Sequence, residues 1–177
     1  MASQGMTYLL SIDPGRSTGI ALGFYDSITP YRLVGRWNVL GGVEGFIHWW
    51  GTTEILFDEI VAESFVLDPD NKFSADLTPV QIEGVLINLL WSSDLSIIWQ
   101  PRTDKAGLKP YPRNCMTSTQ RQRFRFDFLD QFGLFAAGAA NDDSNDAITH
   151  GLVHLKRVKH MPTMLAFWPP RPLKAVA

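Results

Sequence analysis

Two apolar stretches joined by a short polar turn open the chain and constrain its fold most strongly. Residues 6–12 and 19–25 are strand-like, and Asp13, Pro14 and Gly15 begin the turn between them. Apolar runs separated by Pro, Gly and Ser are typical of a β-hairpin. The turn leaves Asp13 at the end of the first strand, where its carboxylate can project into a cleft. Asp followed by Pro and Gly also begins many turns without a chemical role, so this motif alone leaves both interpretations open.

Size and composition limit the class of protein. The chain has 177 residues, of which 45% are hydrophobic and 19% charged, so we expect one folded domain with a sizeable core. The net charge of −2 requires any nucleic-acid binding to come from a local basic surface. A lone cysteine, Cys115, excludes an internal disulfide framework and a Cys-rich zinc site. We find no membrane-spanning run and no signal-peptide pattern, so the sequence predicts a soluble, cytoplasmic protein.

The rest of the chain alternates strand-like and helical patterns. A mixed sheet with helices is expected from strands over 6–12, 19–25, 31–39, 59–63 and 95–99 and helices over 43–50, 78–91, 117–132 and 141–159. Thr78 and Asn141 are the predicted N-caps of two of these helices. We predict one domain over residues 1–160. Residues 161–177 then form a Pro-rich tail that is either a loose end or a strap over a neighbouring subunit.

The predicted helix over 78–91 is apolar on nearly all sides. One face therefore packs on the sheet, and we expect another face to pack on a second copy of the chain. Gly84 would permit the close approach of a partner helix. The alternative is a helix that lies wholly inside the domain.

A basic segment interrupts this otherwise slightly acidic chain. Between 102 and 125 one acidic residue, Asp104, stands against seven basic ones. A solvated helix face would explain them, but the local surplus of charge favours a surface that binds DNA phosphates. Spacing places Arg121 and Arg125 on one helix face. The predicted DNA-binding residues are Arg102, Lys105, Lys109, Arg113, Arg121, Arg123 and Arg125.

Four carboxylates fall where the predicted fold can gather them. Asp13 and Glu63 each end an apolar strand, and Asp143 and Asp146 share one face at the start of the last helix. Acids at a helix N-terminus are often only capping residues. Four carboxylates at one sheet edge, however, need cations, and oxygen ligands select Mg²⁺ or Mn²⁺. Two such ions roughly 4 Å apart suit phosphodiester hydrolysis. His150, one turn after Asp146, either assists this site or is a core or capping histidine.

Three motifs together resemble the RuvC family of Holliday-junction resolvases, and most closely its bacteriophage members. They are residues 11–15 (Ser-Ile-Asp-Pro-Gly), 62–63 (Ala-Glu) and 143–147 (Asp-Ser-Asn-Asp-Ala), and the likeness spans about residues 6–159. The resemblance implies a ribonuclease H-like α/β fold with a five-stranded mixed sheet flanked by helices. It also implies a homodimer that nicks symmetric strands of four-way DNA junctions. By position, the family's four metal-binding acids correspond to Asp13, Glu63, Asp143 and Asp146.

Bacterial members of that family carry an aromatic wedge in the loop after the second acid. Here Phe65 and Phe73 occupy that region. Three alternatives to a strict junction resolvase remain. One is a nuclease of the same fold that cuts branched or flap DNA more broadly, and another is a non-catalytic junction-binding module. The third is an actin-like ATPase or sugar kinase, whose phosphate loop the hairpin turn also resembles, although those folds need two lobes and a longer chain.

Overall fold

A five-stranded mixed sheet forms the centre of the molecule. The computed structural model describes residues 5–65, 76–109, 111 and 117–170. The strand order is β3-β2-β1-β4-β5. β1 pairs antiparallel with β2 and parallel with β4, β2 pairs antiparallel with β3, and β4 pairs parallel with β5. The sequence-based fold class is therefore confirmed. The strands are β1 Thr7–Asp13, β2 Ser17–Tyr25, β3 Arg32–Leu40, β4 Glu59–Ser64 and β5 Ile97–Pro101.

Helices cover both faces of the sheet. α1 and α2 enclose one apolar core, and α3, α4 and α5 enclose the other. A 3₁₀ helix, Arg102–Gly107, follows β5 directly. Among the described residues, no helix combines the length and the apolar character needed to cross a bilayer. The helices are α1 Gly42–Thr52, α2 Thr78–Leu90, α3 Ser118–Asp130, α4 Asp142–Arg157 and α5 Met161–Phe167.

Strand periodicity directs two acidic side chains to the same face. In β1, Leu10 packs in the core under α1 and α2, and Leu9 packs in the core under α4. Because side chains alternate between faces, Asp13 projects toward α4. In β4, Val61 also packs under α4, so Glu63 projects the same way. Continuing the parallel register of β1 with β4 by one residue brings Asp13 level with Glu63.

α4 lies very close to the sheet because two glycines leave room for it. A Cβ on Gly19 would lie 2.0 Å from the backbone oxygen of Asp143, at the start of α4. A Cβ on Gly151 would lie 2.5 Å from Oγ of Ser11 in β1. Both contacts are shorter than real Cβ atoms show, so neither position accepts a side chain without movement of the helix. The acids of α4 are consequently held at a fixed height above β1 and β4.

Of the two predicted helix caps, Asn141 is at the N-cap position of α4, whereas Thr78 lies one residue inside α2. Asn141 precedes α4, but its side chain caps nothing; instead Oδ1 of Asn38 in β3 accepts the backbone N–H of Ser144 at 2.9 Å. Thr78 is the first residue of α2, and its N–H donates to Oδ1 of Asp76 at 3.1 Å. In each case another side chain already occupies the position that a local cap would take. α4 is thereby tied to the sheet through β3.

The segment predicted as a loose tail or strap begins with a packed helix. Phe167 of α5 is buried, and Nε1 of Trp168 donates to the backbone oxygen of Leu108 at 2.6 Å. The Trp168 ring stacks on Phe128 of α3 at a centroid distance of 5.7 Å. Residues 161–168 therefore belong to the core beside α4, while residues 171–177 lie outside the described part of the chain.

α2 is not wholly internal, so that alternative is excluded. Ile82, Leu86 and Leu90 are buried against the sheet. On the outer side Ile87 is 48% exposed and Trp91, which follows the helix, is 83% exposed. α2 therefore presents a second apolar face outward.

Candidate active site

Three carboxylates surround one buried ammonium group. Nζ of Lys105 lies 3.1 Å from Oδ1 of Asp13, 2.7 Å from Oε2 of Glu63 and 3.0 Å from Oδ2 of Asp146. The side chain of Lys105 is 7% exposed and those of the three acids 12% each. We call Asp13, Glu63 and Asp146 the carboxylate cluster. Its members come from β1, β4 and α4, so tertiary folding alone assembles it.

A second cation supports the cluster from α3. Arg125 is buried, and its Nη2 lies 2.9 Å from Oδ1 and 3.2 Å from Oδ2 of Asp146. Its Nη1 donates to the hydroxyl of Tyr111 at 3.1 Å. Such multiple hydrogen bonds fix the orientation of a carboxylate as well as its charge. When Asp13, Glu63 and Asp146 are all ionised, the two cations leave one of their three negative charges uncompensated.

A histidine and a glutamine complete the site. His150, on α4, is fully buried, and its Nε2 lies 2.9 Å from Oε2 of Glu63. Its Nδ1 lies 2.9 Å from Oε1 of Gln100 in β5. Gln100 is the register partner of Glu63 in the β4–β5 pair. His150 is therefore both a core residue and a contact of the carboxylate cluster.

Burial and charge shift the pKa values of two acids of the cluster in opposite directions. Burial raises the pKa of Asp13 well above its usual range, although the charge of Lys105 offsets part of this effect. Burial alone would also raise the pKa of Glu63, but the hydrogen bond from His150 and the charge of Lys105 lower it below its usual range. Glu63 therefore holds its charge at neutral pH more firmly than Asp13 does.

The two basic groups that contact Glu63 also respond to burial. Burial would lower the pKa of Lys105, but the charges of Asp13, Asp146 and Glu63 outweigh it and raise the pKa, so the ammonium form is favoured. Burial lowers the pKa of His150 despite the opposing effect of Glu63. The side chain of Lys105 therefore stays protonated, and the neutral imidazole of His150 is favoured.

The cluster fits a divalent cation. One ligand atom each from Asp13, Glu63 and His150 lie within 4.8 Å of one another. A cationic group already sits at the meeting point of the carboxylates, which shows that positive charge is stabilised there. Carboxylate oxygens suit Mg²⁺ and Mn²⁺. The donor set therefore matches the metal chemistry expected from the sequence.

The fourth predicted acid, Asp143, lies one turn before Asp146 at the start of α4 and is half-buried. Within the described residues its side chain makes no hydrogen bond or ion pair with the carboxylate cluster. Folding thus gathers Asp13, Glu63 and Asp146 directly and leaves Asp143 beside them.

The basic segment divides into two groups. We expected Lys105 and Arg125 on a phosphate-binding surface, but both are buried, because the carboxylates around them require counter-charge. Arg102, Arg121 and Arg123 are exposed. Lys109 is half-buried, with its Nζ 4.5 Å from the centroid of the Phe124 ring. Arg113 lies outside the described residues.

Of the two wedge candidates, one lies within the described residues. Phe65 is half-buried just after β4, and its backbone N–H donates to the carboxylate of Glu83 in α2. Phe73 lies outside the described residues.

The contacts of Lys105, Arg125 and Gln100 with the site were not predicted from the sequence. A polar residue at the end of the apolar stretch Ile97–Gln100 was a usable signal for Gln100. No local signal marks Lys105, since its burial depends on acids from three other elements.

Comparison of the sequence with protein-family models and with curated proteins finds no match. Solved structures do match. Thermus thermophilus RuvC in complex with a Holliday junction substrate has 12% sequence identity and a TM-score of 0.56, covering 88% of this chain and 97% of that chain. This chain has a RuvC-like fold. A second Thermus thermophilus RuvC structure, with 11% identity and a TM-score of 0.53, covers 86% of this chain and 97% of that one. At these identities the likeness establishes the fold and not the activity.

Proposed function

We propose that this protein is a metal-dependent, structure-selective DNA endonuclease that resolves four-way junctions through paired symmetric nicks. The observation that carries the proposal is the convergence of Asp13, Glu63 and Asp146 on one cationic position. The RuvC-like fold supports it, because the RuvC structure of similar fold is a complex with a Holliday junction substrate. A purely structural role would not require three carboxylates to share one nearly buried pocket.

In this proposal Asp13, Glu63, Asp143 and Asp146 hold Mg²⁺ or Mn²⁺, with two ions in each active site. Bound there, the ions would supply Lewis-acid stabilisation of the scissile phosphate and a water of lowered pKa. Arg125 keeps the carboxylate of Asp146 in one orientation through its paired hydrogen bonds. Lys105 balances the charge of the carboxylates when no divalent ion is bound.

Exposed basic side chains beside the cluster bind the arms of the DNA. Arg102 precedes Lys105 in the 3₁₀ helix, and Arg121 and Arg123 lie on α3 together with Arg125. Contacts from such residues to phosphates position the duplex without reading its sequence, and binding weakens as salt rises. Lys109 and Arg113 belong to the same proposed surface, and Phe65 and Phe73 are the proposed wedge residues.

The outer face of α2 is the proposed contact with a second copy of the chain. Ile87, Leu89 and Trp91 are exposed apolar residues on or next to this helix. An added Cβ at Gly84 would meet no atom within 4 Å, so this position can accept a neighbouring helix. Two copies joined there give the paired active sites that symmetric nicking needs. Size-exclusion chromatography with light scattering is expected to give a dimer, and a monomer at micromolar concentration would remove the symmetric-nicking proposal.

Other functions fit less well. A non-catalytic DNA-binding module has no use for the buried carboxylate cluster. The described residues form a single five-stranded sheet, whereas an actin-like ATPase or sugar kinase needs two lobes. A broader branched-DNA or flap nuclease of this fold uses the same site, so substrate comparison must separate it from a junction resolvase.

The test uses labelled four-way, three-way, flap and linear duplex DNA with Mg²⁺, Mn²⁺ or Ca²⁺. We expect cleavage of the four-way junction with Mg²⁺ or Mn²⁺ and binding without cleavage with Ca²⁺. Asp13→Asn should bind the junction and leave it uncut, while Glu59→Gln, far from the cluster on β4, should cut normally. Equal cleavage of flaps and four-way junctions would favour the broader nuclease. No cleavage of any substrate by the folded protein would overturn the proposal.

A further inference from the structure

His150 is the one nitrogen donor among the described residues that meets the carboxylate cluster as a possible ligand. It is fully buried, and its Nε2 lies 2.9 Å from Oε2 of Glu63. Ligand atoms of Asp13, Glu63 and His150 lie within 4.8 Å of one another. Oxygen ligands stand about 2.1 Å from Mg²⁺, so opposed ligand atoms are about 4.2 Å apart. The three ligand atoms are therefore close enough to share an ion once the ammonium of Lys105, which contacts both Asp13 and Glu63, moves aside.

Gln100 offers an acceptor for the hydrogen that Nδ1 of His150 carries when Nε2 binds an ion. Nε2 of Gln100 donates to the backbone oxygen of His150 at 3.4 Å, which orients the amide. Oε1 of Gln100 then faces Nδ1 of the ring at 2.9 Å, in position to accept an N–H from it. In the neutral tautomer with the hydrogen on Nδ1, the lone pair is on Nε2, which is the atom aimed at Glu63. A histidine ligand is commonly fixed in this way by an acceptor on its other nitrogen.

Without an ion, the contact between Nε2 of His150 and Oε2 of Glu63 at 2.9 Å is a hydrogen bond. The ammonium of Lys105 lies 2.7 Å from the same Glu63 oxygen. When Nδ1 carries the ring hydrogen, the lone pair on Nε2 and the carboxylate of Glu63 both face the position of an ion. A divalent ion bound by both atoms would satisfy the nitrogen and the oxygen directly.

We infer that His150, oriented by Gln100, is a nitrogen ligand of the divalent ion and biases the site toward Mn²⁺ over Mg²⁺. The inference rests on the proposed metal site and adds a ligand that the acid motif does not contain. Mg²⁺ favours oxygen ligands, while first-row transition ions accept imidazole more readily. Removing His150 should therefore weaken binding of Mn²⁺ much more than binding of Mg²⁺.

α4 provides a matched control. His154 lies one turn after His150 and is also buried, but its Nε2 is 3.4 Å from Oε2 of Glu59, at the other end of β4. His150→Asn and His154→Asn remove the same buried ring from the same helix. Gln100→Leu tests the orienting contact while His150 is retained.

The experiment measures Mn²⁺ binding to the full chain by electron spin-echo spectroscopy and by calorimetry. We expect ¹⁴N coupling from a histidine in the wild type and in His154→Asn, and its loss in His150→Asn. The Mn²⁺ dissociation constant should rise about tenfold in His150→Asn and severalfold in Gln100→Leu, with little change for Mg²⁺. Labelling the wild type with ¹⁵N-histidine should replace the ¹⁴N signal by one from ¹⁵N, a readout that needs no variant to fold.

Each result separates the inference from the nuclease proposal. Wild-type protein that binds Mn²⁺ and cuts DNA without any histidine coupling overturns the inference and leaves the nuclease proposal standing. Coupling that persists in folded His150→Asn also overturns it. No Mn²⁺ binding at millimolar concentration overturns both.

Discussion

The same pair of side chains occurs at both ends of β4 with different surroundings. Glu63 meets His150 at 2.9 Å at one end, and Glu59 meets His154 at 3.4 Å at the other. The side chain of Glu63 is 12% exposed and that of Glu59 is 36% exposed. In both pairs the acids are four residues apart on β4 and the histidines four residues apart on α4.

The two ends of β4 differ in the charge around the carboxylate–histidine pair. Besides His154, Glu59 contacts a neutral hydroxyl, since Oη of Tyr25 donates to Oε2 of Glu59 at 2.8 Å. Besides His150, Glu63 lies among the charged groups of Asp13, Asp146 and Lys105. The carboxylate–histidine pair is therefore only a hydrogen bond between β4 and α4 at one end, and part of a charged pocket at the other. The neighbouring side chains from other elements, and not the pair itself, determine this difference.

The largest predicted effect is on the rate of DNA cleavage, and it should occur at the Glu63 end of β4 but not at the Glu59 end. Asp13→Asn should lower the rate of junction cleavage by roughly 10⁴-fold, because it removes a proposed metal ligand. Glu59→Gln should change the rate by less than about twofold, since it alters no proposed ligand. Single-turnover cleavage of a labelled four-way junction measures both.

Thermal unfolding controls for folding in this comparison. Burial raises the pKa of Asp13 in the folded protein above its unfolded value, so its ionised form destabilises the fold at neutral pH. Asp13→Asn should then unfold at the same or a higher temperature than the wild type. A large fall in melting temperature would instead make Asp13 a structural residue.

Removing the central cation should be the most damaging change to stability. Lys105→Met leaves the buried carboxylates without their shared partner, which costs about 3–5 kcal/mol in the absence of divalent ions. Without Lys105 the folded pKa values of the acids rise, so stability should recover as the pH falls through those raised values. Urea unfolding at several pH values, with and without Mn²⁺, measures this. Stability equal to wild type at every pH would show that Lys105 does not neutralise the cluster.

Removing the outer cation should have a smaller effect. Arg125→Met leaves Asp146 with Lys105 as its remaining cationic partner and should cost about 1.5–3 kcal/mol, as expected for hydrogen bonds to charged groups. Arg125→Lys keeps the charge and loses the paired geometry, so it should recover only part of the loss. Chemical unfolding at pH 7 gives both values, and complete recovery by lysine would show that geometry at Asp146 is unimportant.

The smallest predicted effect is the pH dependence at the other end of β4. The hydrogen bond with His154 lowers the pKa of Glu59 in the folded state, although burial opposes this. The contribution of ionised Glu59 to the free energy of unfolding is present above its unfolded pKa and is lost as the pH falls through its lowered folded pKa. We expect this contribution to be less than about 1 kcal/mol, because the pair is partly exposed and screened. The stability difference between wild type and Glu59→Gln should therefore shrink between pH 7 and pH 3; a constant difference would contradict this.

The sequence by itself determined the elements and most of the acids. Short apolar runs predicted β1 and β4, and the three-residue spacing of Asp143 and Asp146 placed both on one side of α4. These patterns are local, so they can be read without knowing the fold. The fold class followed from the resemblance of three motifs to the RuvC family, and it is confirmed.

Only the tertiary structure decided what the acids meet. Lys105 and Arg125 looked like members of a basic surface, yet both are buried against carboxylates that lie 20 or more positions away in the chain. Gln100 and His150 contact each other because the β4–β5 register and the close approach of α4 place them together. The free energy of a buried charge depends on neighbours from several elements, and that information is absent from any single stretch of sequence.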